Sequence, residues 1–448
     1  MSMDLHLRYG NKSVEAMLPW GRCLDVLEIA EVPALADPQR EILGSLQQPI
    51  GLDRSVFELV HAGESIAIVV SDAFRNTAVD QVLPVLIGGL NYRGILDESI
   101  IVVFASGTHR PPTPEEQARI LGPEMYARLR SRCYTHDPND ESNLIYIGIT
   151  SRGTPIEINK RVYDCDRIIA TGTVVMHYFG GFGGGRKSIV PGISSSRTIA
   201  HNHAMNLHAH EDRLNPAVRI AALDGNPVAE DMLEGARLAR VDCIINTVLD
   251  KEGRIARVFA GELDAAHRAA AEYARSLYSV HIRKRANLVI ASAGEARNFI
   301  QSHKALYNAF QAMEPGGRIV LLASCAEGLG SERYASWLRL GSAKAIIREL
   351  RKASEIYGQT ALSTVEKGPS AILVTELPDQ AVSLLGATKA ATIAEALEMA
   401  RADLFEAGIS NPTYYVMPSA AYTVPFVVGS EDKAQVTPGL SGFTHTRT

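Results

Sequence analysis

The sequence has no CxxC pair, no long apolar run and no excess of charge of one sign. Its five cysteines, Cys23, Cys133, Cys165, Cys243 and Cys325, are scattered and odd in number. That spacing argues against a disulfide framework or a zinc knuckle and suits a reducing compartment. Lys and Arg total 45 against 50 Asp and Glu, a formal charge of −5. Such a balance gives no pull toward nucleic acid or an anionic membrane. The uncharged stretch from Ile168 to Gly185 carries six glycines and a histidine. It cannot form a membrane span, which needs about 20 mostly apolar residues. The opening MSMDLHLRYG lacks the apolar core of a signal peptide, so a cytoplasmic location is expected. Solenoid repeats and low-complexity tracts are also missing.

What is present is the composition of a globular protein: 448 residues, 46% hydrophobic and 21% charged. That length allows two or three domains. Short β-branched runs alternate with longer amphipathic stretches. SIAIVVSD, SIIVVFASGTH, DRIIATGTVV, VDCIINTVL, ANLVIASAG, GRIVLLASC and SAILVTELP are continuous apolar runs with polar or glycine ends. Continuous runs of this kind are strands of a parallel sheet covered on both faces. Helices are expected over 114–132, 272–286, 334–358 and 392–408. The alternation predicts an α/β protein with two open, mostly parallel-sheet domains. The basic stretch HIRKRA ahead of a fresh strand places a boundary there. The expected domains are 1–284 and 285–413, with the tail 414–448 returning to the first.

Five segments carry chemistry. His177-Tyr-Phe-Gly-Gly-Phe-Gly-Gly-Gly-Arg-Lys187 packs five glycines into six residues beside Arg186 and Lys187. Glycines let backbone N–H groups approach an anionic ligand closely. The segment fails as a P-loop, because Arg186 stands where GxxxxGK[ST] needs glycine. His201, His203, His208 and His210 fall within ten residues, and imidazole suits nickel, zinc or copper. Ser71-Asp72-Ala-Phe-Arg75 follows a strand. It suits ribose and carboxylate binding, and equally a helix N-cap with an i, i+3 ion pair. Gly107-Thr-His109-Arg-Pro sets a histidine at a strand end, where it suits acid–base work. Gln301 and Lys304, three apart, share a helix face and could grip a carboxylate. Asp72, His109 and His177 all follow strand ends, where open α/β sheets place ligands. A phosphate-binding NTPase or kinase built on the glycine loop is an alternative. So is a non-enzymatic nickel carrier built on the 201–210 histidines.

In this order, SDxxR, GTHRP, HYFGGFGGGRKSIVPG, the downstream histidine and QxxK resemble the lactate racemase family, the nickel-pincer-nucleotide enzymes. The resemblance implies two α/β domains with the site in the cleft between them, and racemisation or epimerisation of a 2-hydroxy acid. It implies a cofactor, pyridinium-3,5-bisthiocarboxylic acid mononucleotide nickel, tethered covalently at Lys187 with Gly183, Gly184 and Gly185 beside it. Asp72 then lies near the nucleotide. His203 matches the nickel ligand, His109 and His177 match the acid–base pair, and Arg75, Gln301 and Lys304 match the substrate-orienting groups. The implied partners are a small 2-hydroxy acid and the enzymes that build the cofactor, with neither nucleic acid nor membrane. The stretch AGEARNFIQ departs from the tyrosine that lactate-specific members place before the glutamine, and Trp337 stands too early to match the family's substrate-covering tryptophan. From that departure, Arg297 or His303 is expected to contact a second polar group on a larger acid such as malate.

Overall fold

The computed structural model describes residues 3–18, 20–33 and 35–429. The chain forms two compact units. One comprises Ala30–Asn206 and Val218–Leu277, and the other Met1–Ile29, Leu207–Ala217 and the residues from Tyr278 onward.

The first unit is built on a six-stranded sheet. Its order is Ile255–Gly261, Cys243–Leu249, Arg167–Thr173, Ile66–Ser71, Ile100–Ala105, Cys133–Thr135. The first pair is antiparallel and the rest are parallel. The apolar runs are continuous because both faces are covered. Ile66, Ile68 and Val70 enter one core, while Ala67 and Val69 enter the other. Each such Ile or Val side chain contributes roughly 1.5–3 kcal/mol by leaving water.

The second unit holds another six-stranded sheet, all parallel. Its order is Thr388–Ala390, Ala371–Val374, Met313–Leu322, Ala286–Ser292, Thr413–Met417, Arg22–Val26. A hairpin, Met3–Tyr9 with Lys12–Leu18, packs Leu5, Leu7 and Leu18 into one of its cores.

The α/β class is as expected, but the division of the chain is not. The unit change after Leu277 falls close to the expected boundary, yet the first 29 residues belong with the second unit. Thr413–Met417 does not return to the first domain. It lies between Ala286–Ser292 and Arg22–Val26, and Val424–Val427 pairs with Ser279–Ile282. An apolar run such as TYYVM needs two covered faces, and the interior of the second sheet supplies them. Residues 430–448 of the expected tail lie outside the described residues.

Three helices are shorter than the periodicity suggests. The 114–132 stretch starts on a Thr113–Glu116 capping box and breaks at Gly122, whose φ is +82°. The 334–358 stretch breaks at Gly341, φ +74°, with Ser342 capping the next piece. The 272–286 stretch ends as helix at Tyr278 and continues as strand Ser279–Ile282, where Val280 and Ile282 favour extended backbone.

Candidate active site

The three central strands of the first sheet, Arg167–Thr173, Ile66–Ser71 and Ile100–Ala105, are direct neighbours. Their carboxyl ends therefore deliver His177, Asp72 and His109 on one edge of the sheet. Asp72 is buried and takes the Nδ1 of His109 at 2.6 Å on Oδ2, while Oδ1 accepts the Phe74 amide at 3.0 Å. Burial works to raise the Asp72 pKa. The hydrogen bond from His109 and the nearby charges of His109 and Arg75 outweigh it, so the carboxyl titrates below its ordinary value. The His109 ring remains 28% exposed, with Phe74 edge-on at 5.2 Å and the Arg110 guanidinium over the far ring. Glu116 grips Arg110 through two bonds of 2.6 Å. Arg75 is exposed on the same loop.

Asp72 was expected near a nucleotide. Within the protein, one of its oxygens meets His109 and the other Phe74.

His177 ends the short strand Met176–His177, which pairs with Gly181–Phe182. The turn between them folds back over the ring. The Nδ1 of His177 accepts the amides of Phe179 at 3.1 Å and Gly180 at 3.2 Å. Tyr178 stacks on the imidazole at 5.0 Å.

The glycines that follow owe their identity to neighbours in the fold. At Gly184, φ +69°, a Cβ would sit 2.5 Å from Asn246 Oδ1. At Gly185, φ +51°, it would sit 2.5 Å from the His267 ring. The Gly183 amide donates to Val175 O and the Gly185 amide to Asn246 Oδ1. These amides do not converge on a phosphate, which removes the support for an NTPase loop. Arg186 is buried as well, on His267 Nδ1 at 2.7 Å and Ala229 O at 3.2 Å, and burial pushes it down to about 10. His267 also reaches Gly183 O at 2.8 Å, so it holds both ends of the loop.

Lys187 leaves this loop half-buried, its ammonium lying over Gly180. His203 is buried on helix Ser196–Ala204, its ring 4.5 Å from Phe179. Burial, then the charge of Lys187, pushes His203 down to about 3. Asn202 ties the helix to Asp231 at 2.9 Å and to Val228 O at 3.1 Å. His201 faces outward on the same helix, and His208 and His210 fall among residues 207–217, which cluster with the second unit. Among the described residues no three His, Cys, Asp or Glu side chains gather as a metal site.

In the second unit, helix Phe299–Ala312 starts on Asn298 and carries the QxxK pair. Gln301 and Lys304 are half-buried, and Gln301 Oε1 accepts the Arg297 amide at 2.9 Å. His303 is not available to a substrate in the way expected. It points into the unit and meets Ser363 Oγ at 3.0 Å. Burial, with help from the Lys367 charge, pushes it down to about 3. Arg297 is 71% exposed and pairs with Glu327 at 2.6 Å. Trp337 bonds Glu355 through its indole N–H and packs against Gly358.

Sequence reasoning missed His267, Asn246 and the Asp72–His109 link. Asn246 had a signal, as the one amide inside the apolar run CIINTVL. His267 had none.

Residues 9–215 match the family model described as the lactate racemase N-terminal domain. The chain is 30% identical to lactate racemase of Thermoanaerobacterium thermosaccharolyticum over 341 residues, 75% of this chain and 78% of that protein. It is 32% identical to lactate racemase of Lactiplantibacillus plantarum over 300 residues, 66% of this chain and 68% of that protein. The lactate racemase apoprotein structure from T. thermosaccharolyticum superposes with a TM-score of 0.83 at 26% identity, over 95% of this chain and all of that one. A Thermotoga maritima protein shares the fold at a TM-score of 0.65 and 16% identity, over 89% of this chain and all of that one.

Proposed function

The chain belongs to the lactate racemase family and is an isomerase of the racemase class, and from that premise we propose that it racemises a 2-hydroxy acid, with lactate the first candidate, by reversible hydride transfer through a 2-keto acid. Inversion requires the Cα–H to leave one face and return to the other. A free hydroxy acid is a very weak carbon acid, so removal of a bare proton is unfavourable. Removal of the hydrogen with its electron pair avoids the carbanion. The nickel-pincer nucleotide, when bound, supplies the electron-poor hydride acceptor that this route needs.

The residues present fit that group. Lys187 offers an amine for its covalent attachment. His203, kept neutral by burial and by the Lys187 charge, offers the form of imidazole that ligates a metal. This pairing of a lysine amine with a buried neutral histidine is the observation that carries the proposal. His203 would then be the side chain that holds the nickel.

His109 and His177 serve the substrate's hydroxyl group, where an imidazole can accept, donate or share the proton. Arg75 and Lys304 hold the carboxylate and stabilise charge on the oxygen, and Gln301 donates from its amide NH2. With His303 buried and Arg297 held by Glu327, nothing favours malate over lactate. The chemistry is that of a small soluble substrate. Among the described residues no helix is long and apolar enough to cross a membrane. Activity then depends on separate cofactor-building enzymes, and a cytoplasmic location suits that supply.

The test is protein from a host that makes the cofactor. Intact mass and nickel analysis are expected to show one adduct and one nickel per chain. Deuterium at Cα of lactate is expected to be retained during inversion. Free exchange of that deuterium with water would sink the hydride route.

A further inference from the structure

The two acid–base histidines are anchored through the same ring atom by opposite kinds of partner. The Nδ1 of His109 faces a carboxylate oxygen at 2.6 Å. Asp72 titrates below its ordinary value, so it is ionised and can only accept. His109 therefore carries a proton on Nδ1, and in the neutral ring Nε2 is a bare lone pair. The Nδ1 of His177 faces two backbone N–H groups, from Phe179 and Gly180. Amides can only donate, so this nitrogen carries no proton and the neutral ring holds its hydrogen on Nε2. To accept a proton at Nε2 and keep a lone pair elsewhere, His177 would first need a hydrogen on Nδ1, pointed at two N–H groups. To become an imidazolium it would need the same hydrogen.

We propose that the two histidines are set in opposite tautomers and play different parts. His109 exchanges the substrate's hydroxyl proton, and His177 donates a hydrogen bond to a substrate oxygen. This rests on the racemase proposal and narrows it. In the oxidising half, the O–H bond breaks and its proton goes to His109 Nε2. The C–H bond breaks with its electron pair going to the pyridinium-type hydride acceptor, and C=O forms. In the returning half, the hydride pair re-forms C–H and the proton on His109 returns to oxygen. His177 keeps its Nε2–H throughout and steadies negative charge on oxygen, as a neutral imidazole can. Asp72 is a positioning residue. It fixes which nitrogen of His109 is bare and stabilises the imidazolium that forms.

The tautomers can be read without cofactor or turnover. Nitrogen-15 spectra of the imidazoles in the full-length apoprotein, assigned with His109→Gln and His177→Gln, are expected to show a neutral His177 protonated on Nε2 and a His109 protonated on Nδ1. A His177 protonated on Nδ1, or present as imidazolium at pH 7, overturns the proposal. Asp72→Asn is expected to mix the His109 tautomers in the same spectra. In loaded enzyme it should lower kcat by about 10³–10⁴, the scale reported for a mis-set catalytic histidine, with KM little changed. Loaded His177→Gln keeps a donor nitrogen in place and should lose about 10–100-fold, whereas His109→Gln should lose about 10³-fold or more. Equal losses in the two variants would overturn the division of roles. Absence of racemisation in loaded wild type would defeat the racemase proposal instead, and the spectra would still decide the tautomers.

Discussion

His203 and His303 lie in different units and share an electrostatic description. Both are buried, both are pushed down to about 3, and in both a lysine's charge adds to the effect of burial. Their surroundings differ. His303 meets the Ser363 hydroxyl, which also receives Lys367 at 3.1 Å. Lys367 is itself buried over the rings of Tyr307 and Phe310. That network closes on itself inside a core. The lysine beside His203 is half-buried, and it emerges from a loop whose glycines are forced by packing. A depressed histidine pKa thus marks burial in both places, and the neighbouring chain decides what the burial is for.

The sharpest way to break the contrast is at the lysines and histidines themselves. Lys187→Ala should lose the covalent adduct and reduce racemisation to background, while thermal unfolding stays close to wild type. Intact mass and a melt measure both. Retention of the adduct would remove Lys187 as the tether. His303→Ala should do the reverse. It opens a cavity and strips Ser363 of a buried partner, costing about 2–4 kcal/mol in urea unfolding while the adduct still forms.

Acid sharpens the same contrast more gently. Below the unfolded imidazole value of about 6.5 the unfolded chain binds a proton that folded His303 refuses until about 3. Stability is therefore fully present above about pH 6.5 and falls through that window by roughly 1.4 kcal/mol per pH unit for each such histidine. Urea midpoints at pH 7, 6 and 5 should show the slope, and His303→Gln should lessen it. The smallest effect is expected at Arg297→Ala. An exposed ion pair with Glu327 is worth about 0.2–1 kcal/mol, and the lactate-to-malate preference should not move. A changed preference would bring Arg297 back as a substrate contact.

Much of the first unit can be read from the sequence, because its central strands are unbroken apolar runs and its reactive residues follow them directly. The order of those strands cannot be read. Asp72 and His109 meet only because their strands are neighbours, and no local pattern states that. The sequence places His303 near the substrate by its proximity to Gln301. Two residues on a helix lie about 200° apart, and periodicity alone turns His303 inward. The second unit is harder to read, since Arg22–Val26 pairs with Thr413–Met417 at the other end of the chain. Hydrophobic pattern reports that a strand is buried and is silent on its partner.

That last pairing has a consequence for biosynthesis. A ribosome releases Arg22–Val26 long before Thr413–Met417, the strand it must lie against. The unit made of Ala30–Asn206 and Val218–Leu277 carries a core of its own and can begin to collapse while the opening hairpin waits. Closing so large a loop adds only a logarithmic entropy term, so the finished fold loses little by it. The delay falls on kinetics, since long-range parallel pairing is slow and leaves strand edges uncovered in the nascent chain.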